Sequence, residues 1–182
     1  MRKIPSLFMR EPSGLVRDEV TPGCEWVIVG EGTATRKWDG TCCLVRDGKL
    51  FRRYELKIGA IEPLSWEPAD RGDPRTGNTP GWIPVSGDAP ADRWHREAFR
   101  AGIPDGTYEL CGPKIGGNPE GCPEHVLIPH GVARLIDCPR TFDALRAYLS
   151  PGHIEGIVWR HPDGRMAKIK GKDFGIRRHA EP

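Results

Sequence analysis

Glycine and proline constrain this chain more than any other feature. With 23 Gly and 18 Pro in 182 residues, the sequence predicts many turns and a loop-rich α/β or mainly β fold rather than a helical bundle. The length suits one domain with its own hydrophobic core. The expectation is a single domain over 1–182 with a Pro/Gly-rich loop insertion at 62–91.

Residues 1–23 read as an irregular arm, and Trp26-Val27-Ile28-Val29 as a strand. Residues 34–46 and 49–56 read as a hairpin, because Asp47-Gly48 between two β-prone runs suits a two-residue type I′ turn. The 62–91 segment holds six prolines and four glycines, with Trp66 and Trp82 as its large anchors. It reads as an irregular excursion, either a lid or an inert insertion. Asp92 is expected to cap a short helix carrying Trp94, Ala98 and Ala101. Strands are expected at 106–111 and near 125–128 and 132–136. Thr141 then caps a helix with the stripe Phe142, Leu145 and Leu149. A last hairpin pairs 154–160 with 165–170, turning at His161-Pro162-Asp163-Gly164.

The formal net charge is only +2, so the chain is not a generic polyanion binder, and any nucleic-acid contact must come from a local basic face. None of the six cysteines forms a C-x-x-C pair, which argues against a zinc site. They are read as reduced and structural. Met1 to Arg10 lacks the apolar core of a signal peptide, and no stretch is apolar enough to span a bilayer. The expected location is the cytoplasm, with no membrane partner.

Four polar clusters interrupt apolar strands. Lys37-Trp38-Asp39-Gly40 places a lysine at a strand end before Asp-Gly. A lysine becomes nucleophilic when burial and neighbouring cations act on it; Arg53 and the downstream lysines could supply that field, and Gly40 could let backbone approach a nucleotide. Glu109 lies within Tyr108-Glu109-Leu110-Cys111, where alternation puts it on the face opposite Tyr108 and Leu110. Glu155-Gly156-Ile157-Val158 opens the last hairpin and Lys168-Ile169-Lys170 closes it. Lys168 and Lys170 leave the same strand face, where two ammonium groups repel unless an anion such as a polyphosphate lies between them. Each cluster alone also fits a solvated surface.

Taken in order, they resemble the covalent nucleotidyltransferase superfamily of ATP-dependent DNA and RNA ligases and mRNA capping enzymes. Lys37-Trp38-Asp39-Gly40 resembles its K-x-D-G nucleophile motif, and Phe51-Arg52-Arg53-Tyr54 its arginine-bearing strand. Tyr108-Glu109-Leu110-Cys111-Gly112, Glu155-Gly156-Ile157-Val158 and Lys168-Ile169-Lys170 resemble its glutamate, E-G-h-V and K-h-K motifs. The continuation Thr41-Cys42-Cys43, with Cys111-Gly112-Pro113-Lys114 and Gly117-Asn118-Pro119, is more similar to a minimal 5′-to-3′ RNA ligase family.

The resemblance implies an α+β nucleotidyltransferase (adenylation-domain) fold of antiparallel sheets flanked by a few helices. With twelve residues after Lys170, the expectation is a fold with no appended OB domain. It implies an ATP-dependent RNA ligase that forms lysyl-AMP, passes AMP to an RNA 5′-phosphate and joins it to a 3′-hydroxyl. The alternatives are a DNA nick-sealing core and a nucleotide- or RNA-binding module without turnover. The implied cofactors are ATP, as AMP donor, and Mg²⁺ or Mn²⁺, and the partners are RNA ends. Lys37 would be the nucleophile and Glu155 the metal ligand. Arg53 and Glu109 would contact ribose or phosphate, with Arg52 the alternative to Arg53. Lys168 and Lys170 would grip phosphate, and Thr35 or Arg36 would read the adenine edge through the backbone. His130 and Val158 are candidates for the adenine sandwich.

Overall fold

The computed structural model describes residues 3–72 and 76–178. In chain order the elements are β1 (Phe8–Arg10), β2 (Val16–Val20), α1 (Glu25–Ile28), β3 (Thr33–Lys37), β4 (Thr41–Arg46) and β5 (Lys49–Leu56). They continue with β6 (Glu67–Pro68), β7 (Thr79–Pro84), α2 (Arg93–Ala98), β8 (Gly106–Cys111) and β9 (Val126–Pro129). The last are α3 (Phe142–Leu149), β10 (Gly156–Arg160) and β11 (Met166–Lys170), followed by a short 3-10 turn at Gly171–Phe174. The α+β class, with antiparallel pairing and few helices, is compatible with what the resemblance implies. The chain forms two compact units, one from residues 40–129 and one from 4–39 and 130–178.

The first unit is a six-stranded sheet in the order β6-β7-β5-β4-β8-β9. Its β4–β5 hairpin turns at Asp47 and Gly48, both with positive φ (52° and 67°), as a type I′ turn demands. Alternation sends Cys43, Val45, Leu50, Tyr108, Leu110 and Leu127 to one face, where they form a core with Ala98 of α2. Arg52 lies on that face too, ion-paired with Asp92 at 2.8 Å. The Asp92 side chain therefore does not cap α2; its other oxygen accepts the Ser86 amide at 3.0 Å.

The second unit holds a three-stranded sheet, β11-β10-β3, and the separate β1–β2 hairpin. Ala34, Ile157, Trp159, Ala167 and Ile169 point from that sheet into a core completed by Leu7, Phe8, Trp26, Val27, Leu145 and Leu149. The N-terminal arm pins the outer edge of β11. The Leu7 amide donates to the Lys168 carbonyl at 2.7 Å, and the Lys168 amide to the Pro5 carbonyl at 3.0 Å.

Several local expectations change. Residues 25–28 form helix α1, not a strand, because Gly23 and Gly30 bracket too short a run and the Trp26 indole donates back to the Gly23 carbonyl at 3.1 Å. The 34–46 run is two strands in two sheets, broken at Trp38-Asp39-Gly40. The arm expected to be irregular contains β1 and β2. The 62–91 excursion contains β6 and β7, the latter paired with β5 along its length; residues 73–75 of that segment, like 1–2 of the arm, lie outside the described residues. Residues 132–136 make only an isolated bridge, Thr35 with Arg134. Helix α2 ends at Ala98, so Ala101 lies beyond it.

Candidate active site

In the second unit, register gathers the lysines. Gly156 on the central strand pairs with Lys37 on one side and Lys170 on the other, and Val158 pairs with Thr35 and Lys168. Residues directly opposite in antiparallel strands share a face. Lys37, Lys168 and Lys170 therefore project from one face, whose opposite side packs the core. Gly156 between them keeps the floor open and tight: a Cβ there would sit 2.1 Å from the Ile169 carbonyl oxygen.

Glu155, just before β10, organises this cluster. One carboxylate oxygen takes the Lys37 ammonium and the other the Lys170 ammonium. Burial pushes the carboxyl up, but Lys37 and Lys170 outweigh it and hold the pKa below the ordinary 4.5. Lys168 is half-buried on the same face. Burial, and then the Lys170 and Lys37 charges, bring its ammonium down to about 8. Lys170 is fixed from behind by Asp173, which is fully buried; its carboxylate accepts the Lys170 amide at 3.0 Å and Arg10 at 2.7 Å.

The Lys168 value carries a pH prediction. Its folded pKa lies below the unfolded 10.5, so between about pH 8 and 10.5 the folded state binds fewer protons. Stability rises with pH across that window. Anion binding on this face needs the ammonium, so affinity for an inorganic polyphosphate used as a probe is expected to fall above pH 8, approaching about tenfold per pH unit. Lys168→Arg should flatten the profile, because arginine stays charged. Titration calorimetry at pH 7 and 9 checks this, and a flat wild-type profile contradicts it.

The neighbouring β3 groups are engaged. The Thr35 hydroxyl donates to the Val158 carbonyl at 2.8 Å, and the Arg36 amide to the Ala133 carbonyl at 2.8 Å. The Arg36 guanidinium lies 4.4 Å from the Trp38 ring centroid.

The first unit holds Gly40, Arg53 and Glu109. Glu109 pairs with Cys42 and Ile128, and Arg53 with Trp82, on the sheet face opposite its core. The Arg53 guanidinium lies 5.1 Å from the Trp82 ring centroid. Arg53, not Arg52, thus shares the Glu109 face. Glu109 is 7 % exposed and accepts the Gly40 amide at 3.1 Å. A Cβ on Gly40 would lie 2.1 Å from the Leu110 carbonyl oxygen, so its close approach is to β8. The loop after β8 is held by His125. Its Nε2 accepts the Lys114 amide at 3.2 Å, its Nδ1 lies 2.8 Å from Glu97, and its ring stacks on Trp94 with centroids 4.6 Å apart.

Sequence reasoning overlooked Asp173 and the cations Lys172, Arg177 and Arg178. The Gly-Lys-Asp-Phe run after Lys170 and the terminal Arg-Arg pair were the available signals. Arg178 lies 3.1 Å from Asp39, the acid of the Lys37 motif.

Comparison with known proteins gives a consistent result. A family model described as RNA ligase 1 matches residues 100–181, a span that contains Glu109, Glu155, Lys168 and Lys170 but not Lys37. RNA ligase 1 of Danio rerio is 26% identical, over 97% of this chain and 81% of the relative. RNA ligase 1 of Rattus norvegicus is 28% identical, over 81% and 69%, and that of Pongo abelii 29%, over 78% and 67%. The chain is thus similar, at 26–29% identity, to proteins named RNA ligase 1.

Proposed function

We propose that this protein is an ATP-dependent RNA ligase working through a covalent Lys37–AMP intermediate, on a nucleotidyltransferase fold. The observation that carries the reading is the convergence of Lys37, Lys168 and Lys170 on one sheet face, with Glu155 held between Lys37 and Lys170. Such a face concentrates positive charge around one lysine placed next to a carboxylate.

The Lys37 amine would attack the α-phosphorus of ATP, forming a P–N bond as the bond to pyrophosphate breaks. The amine is oriented by Glu155, because Lys37 Nζ donates to Glu155 Oε2. Lys168 and Lys170 would neutralise charge on the phosphoryl oxygens, the main protein contribution to such transfers. The RNA 5′-phosphate would then take AMP from Lys37, and a 3′-hydroxyl would displace AMP and seal the strand. Arg53 and Glu109 would contact ribose or phosphate.

A hard divalent cation fits the donor chemistry. Mg²⁺ or Mn²⁺ binds through one or two carboxylates together with phosphate oxygens, and Glu155 is the carboxylate set among the lysines of the phosphate-facing sheet face. Glu155 would hold the ion, which would supply charge neutralisation on phosphate.

The test is a sealing assay with 5′-phosphorylated single strands and nicked duplexes, each as RNA and as DNA, with ATP or GTP. The expected result is RNA joining with ATP. Joining of DNA alone would overturn the assignment.

A further inference from the structure

The second unit contains an open cavity of about 140 Å³ lined by Asp39, Glu155, Lys172, Ile176, Arg177 and Arg178, with three glycine and isoleucine neighbours. Glu155 alone is shared with the lysine cluster; Lys37, Lys168 and Lys170 do not line the cavity. The volume admits several water-sized groups, enough for a phosphate.

The charges of the lining do not cancel. Asp39 is paired with Arg178, and Glu155 with Lys37 and Lys170. Lys172 and Arg177 remain exposed, and among the described residues neither side chain has an ion-pair or hydrogen-bond partner. A chain with a formal net charge of +2 therefore concentrates cations beside its nucleophile, in a cavity that has space for an anion.

The tail that carries these arginines is fastened on both sides of Arg177. Gly175, with φ of 76°, ends the 3-10 turn and reverses the chain. The Ile176 amide then donates to the Gly171 carbonyl at 3.0 Å, while Ile176 packs on the core. Arg178 closes the other side on Asp39. Arg177 is thereby held on the cavity wall.

We propose that this cavity is the subsite for the 5′-phosphate of the RNA end that accepts AMP. Lys172 and Arg177 are its phosphate contacts, and Arg178 positions Asp39 beside it. The inference rests on the ligase reading of the lysine cluster. The nucleotide's own phosphates are met by the lysine face, so a second cationic pocket adjoining it, and open to solvent, suits a second phosphate that arrives on a polymer. A 5′-phosphate oxygen bound there attacks the phosphorus of Lys37–AMP. The P–N bond breaks, a P–O–P linkage forms, and the released Lys37 amine takes up a proton.

The test compares wild type with Lys172→Ala/Arg177→Ala in two readouts. The first is binding, by anisotropy, of one labelled RNA oligonucleotide bearing either a 5′-phosphate or a 5′-hydroxyl. Wild type should prefer the 5′-phosphate by about tenfold or more, and the variant should lose that preference. The second is single-turnover transfer of labelled AMP from the protein to 5′-phosphorylated RNA, expected to fall about tenfold or more while covalent labelling by ATP stays within about twofold. Arg177→Lys should recover part of the transfer. An undiminished 5′-phosphate preference with normal transfer overturns the subsite. Labelling that falls as far as transfer also overturns it, and assigns the cavity to pyrophosphate. Failure of wild type to label at all overturns the ligase reading on which the subsite rests.

Discussion

Lys37→Arg is expected to reduce joining of 5′-phosphorylated RNA by at least about a thousandfold while leaving the fold intact. Arginine keeps the positive charge opposite Glu155, so the carboxylate keeps a partner and the sheet face keeps its electrostatics. The guanidinium, however, does not lose its proton and cannot form the P–N bond. The same variant should still seal RNA supplied with a ready-made 5′-adenylate, because the 3′-hydroxyl attack makes no bond to residue 37. Sealing of both substrates at wild-type rates would remove Lys37 from the chemistry. Loss of both, with unchanged thermal unfolding, would show that Lys37 acts by contact rather than by covalency.

Glu155→Gln is expected to destabilise the protein by about 3 kcal/mol, because removing one member of a desolvated ion pair strands its partners. Here two ammonium groups are stranded at once, and Lys168 adds a third positive charge on that face. The side chains of Lys37, Glu155 and Lys170 are 20%, 12% and 16% exposed, so solvent screening removes only part of the effect. The pH dependence has a definite sign. The folded pKa of Glu155 is depressed, so its contribution is complete above the ordinary 4.5 and is lost as pH falls through the folded value. Wild type and variant should therefore differ in urea midpoint at pH 7 and converge in acid. Equal midpoints at pH 7 would contradict the account of Glu155 as the group that holds the cluster.

The parts of the site visible in the sequence were those set by local periodicity. Lys168 and Lys170 are two apart on a strand, so their common face follows from alternation alone. The Asp47-Gly48 turn and the β10–β11 hairpin are local events with strong turn chemistry. What stayed hidden depends on long-range pairing. Strand β7 carries prolines and reads as loop until β5 supplies its partner. The break at Trp38-Asp39-Gly40, which sends β3 and β4 into different sheets, is invisible in a continuous β-prone run. The helix at Trp26 reflects burial of Trp26 and Val27 in a core assembled from distant segments, which outweighs their β-propensity. The sequence reads Glu155 as a metal ligand; that its two oxygens hold the Lys37 and Lys170 ammonium groups needs the register across Gly156. Asp173, Arg177 and Arg178 carried no motif, and their positions come from a tail that folds back on Gly171 and Asp39.

The central claim is that Lys37 carries the nucleotide covalently. The most direct measurement is proteolysis and tandem mass spectrometry of the wild-type protein after incubation with ATP and Mg²⁺ or Mn²⁺. The account predicts one AMP added to the peptide containing Lys37, localised to its ε-nitrogen and lost when 5′-phosphorylated RNA is supplied. An adduct on another residue, or none under conditions where the protein joins RNA, would contradict it.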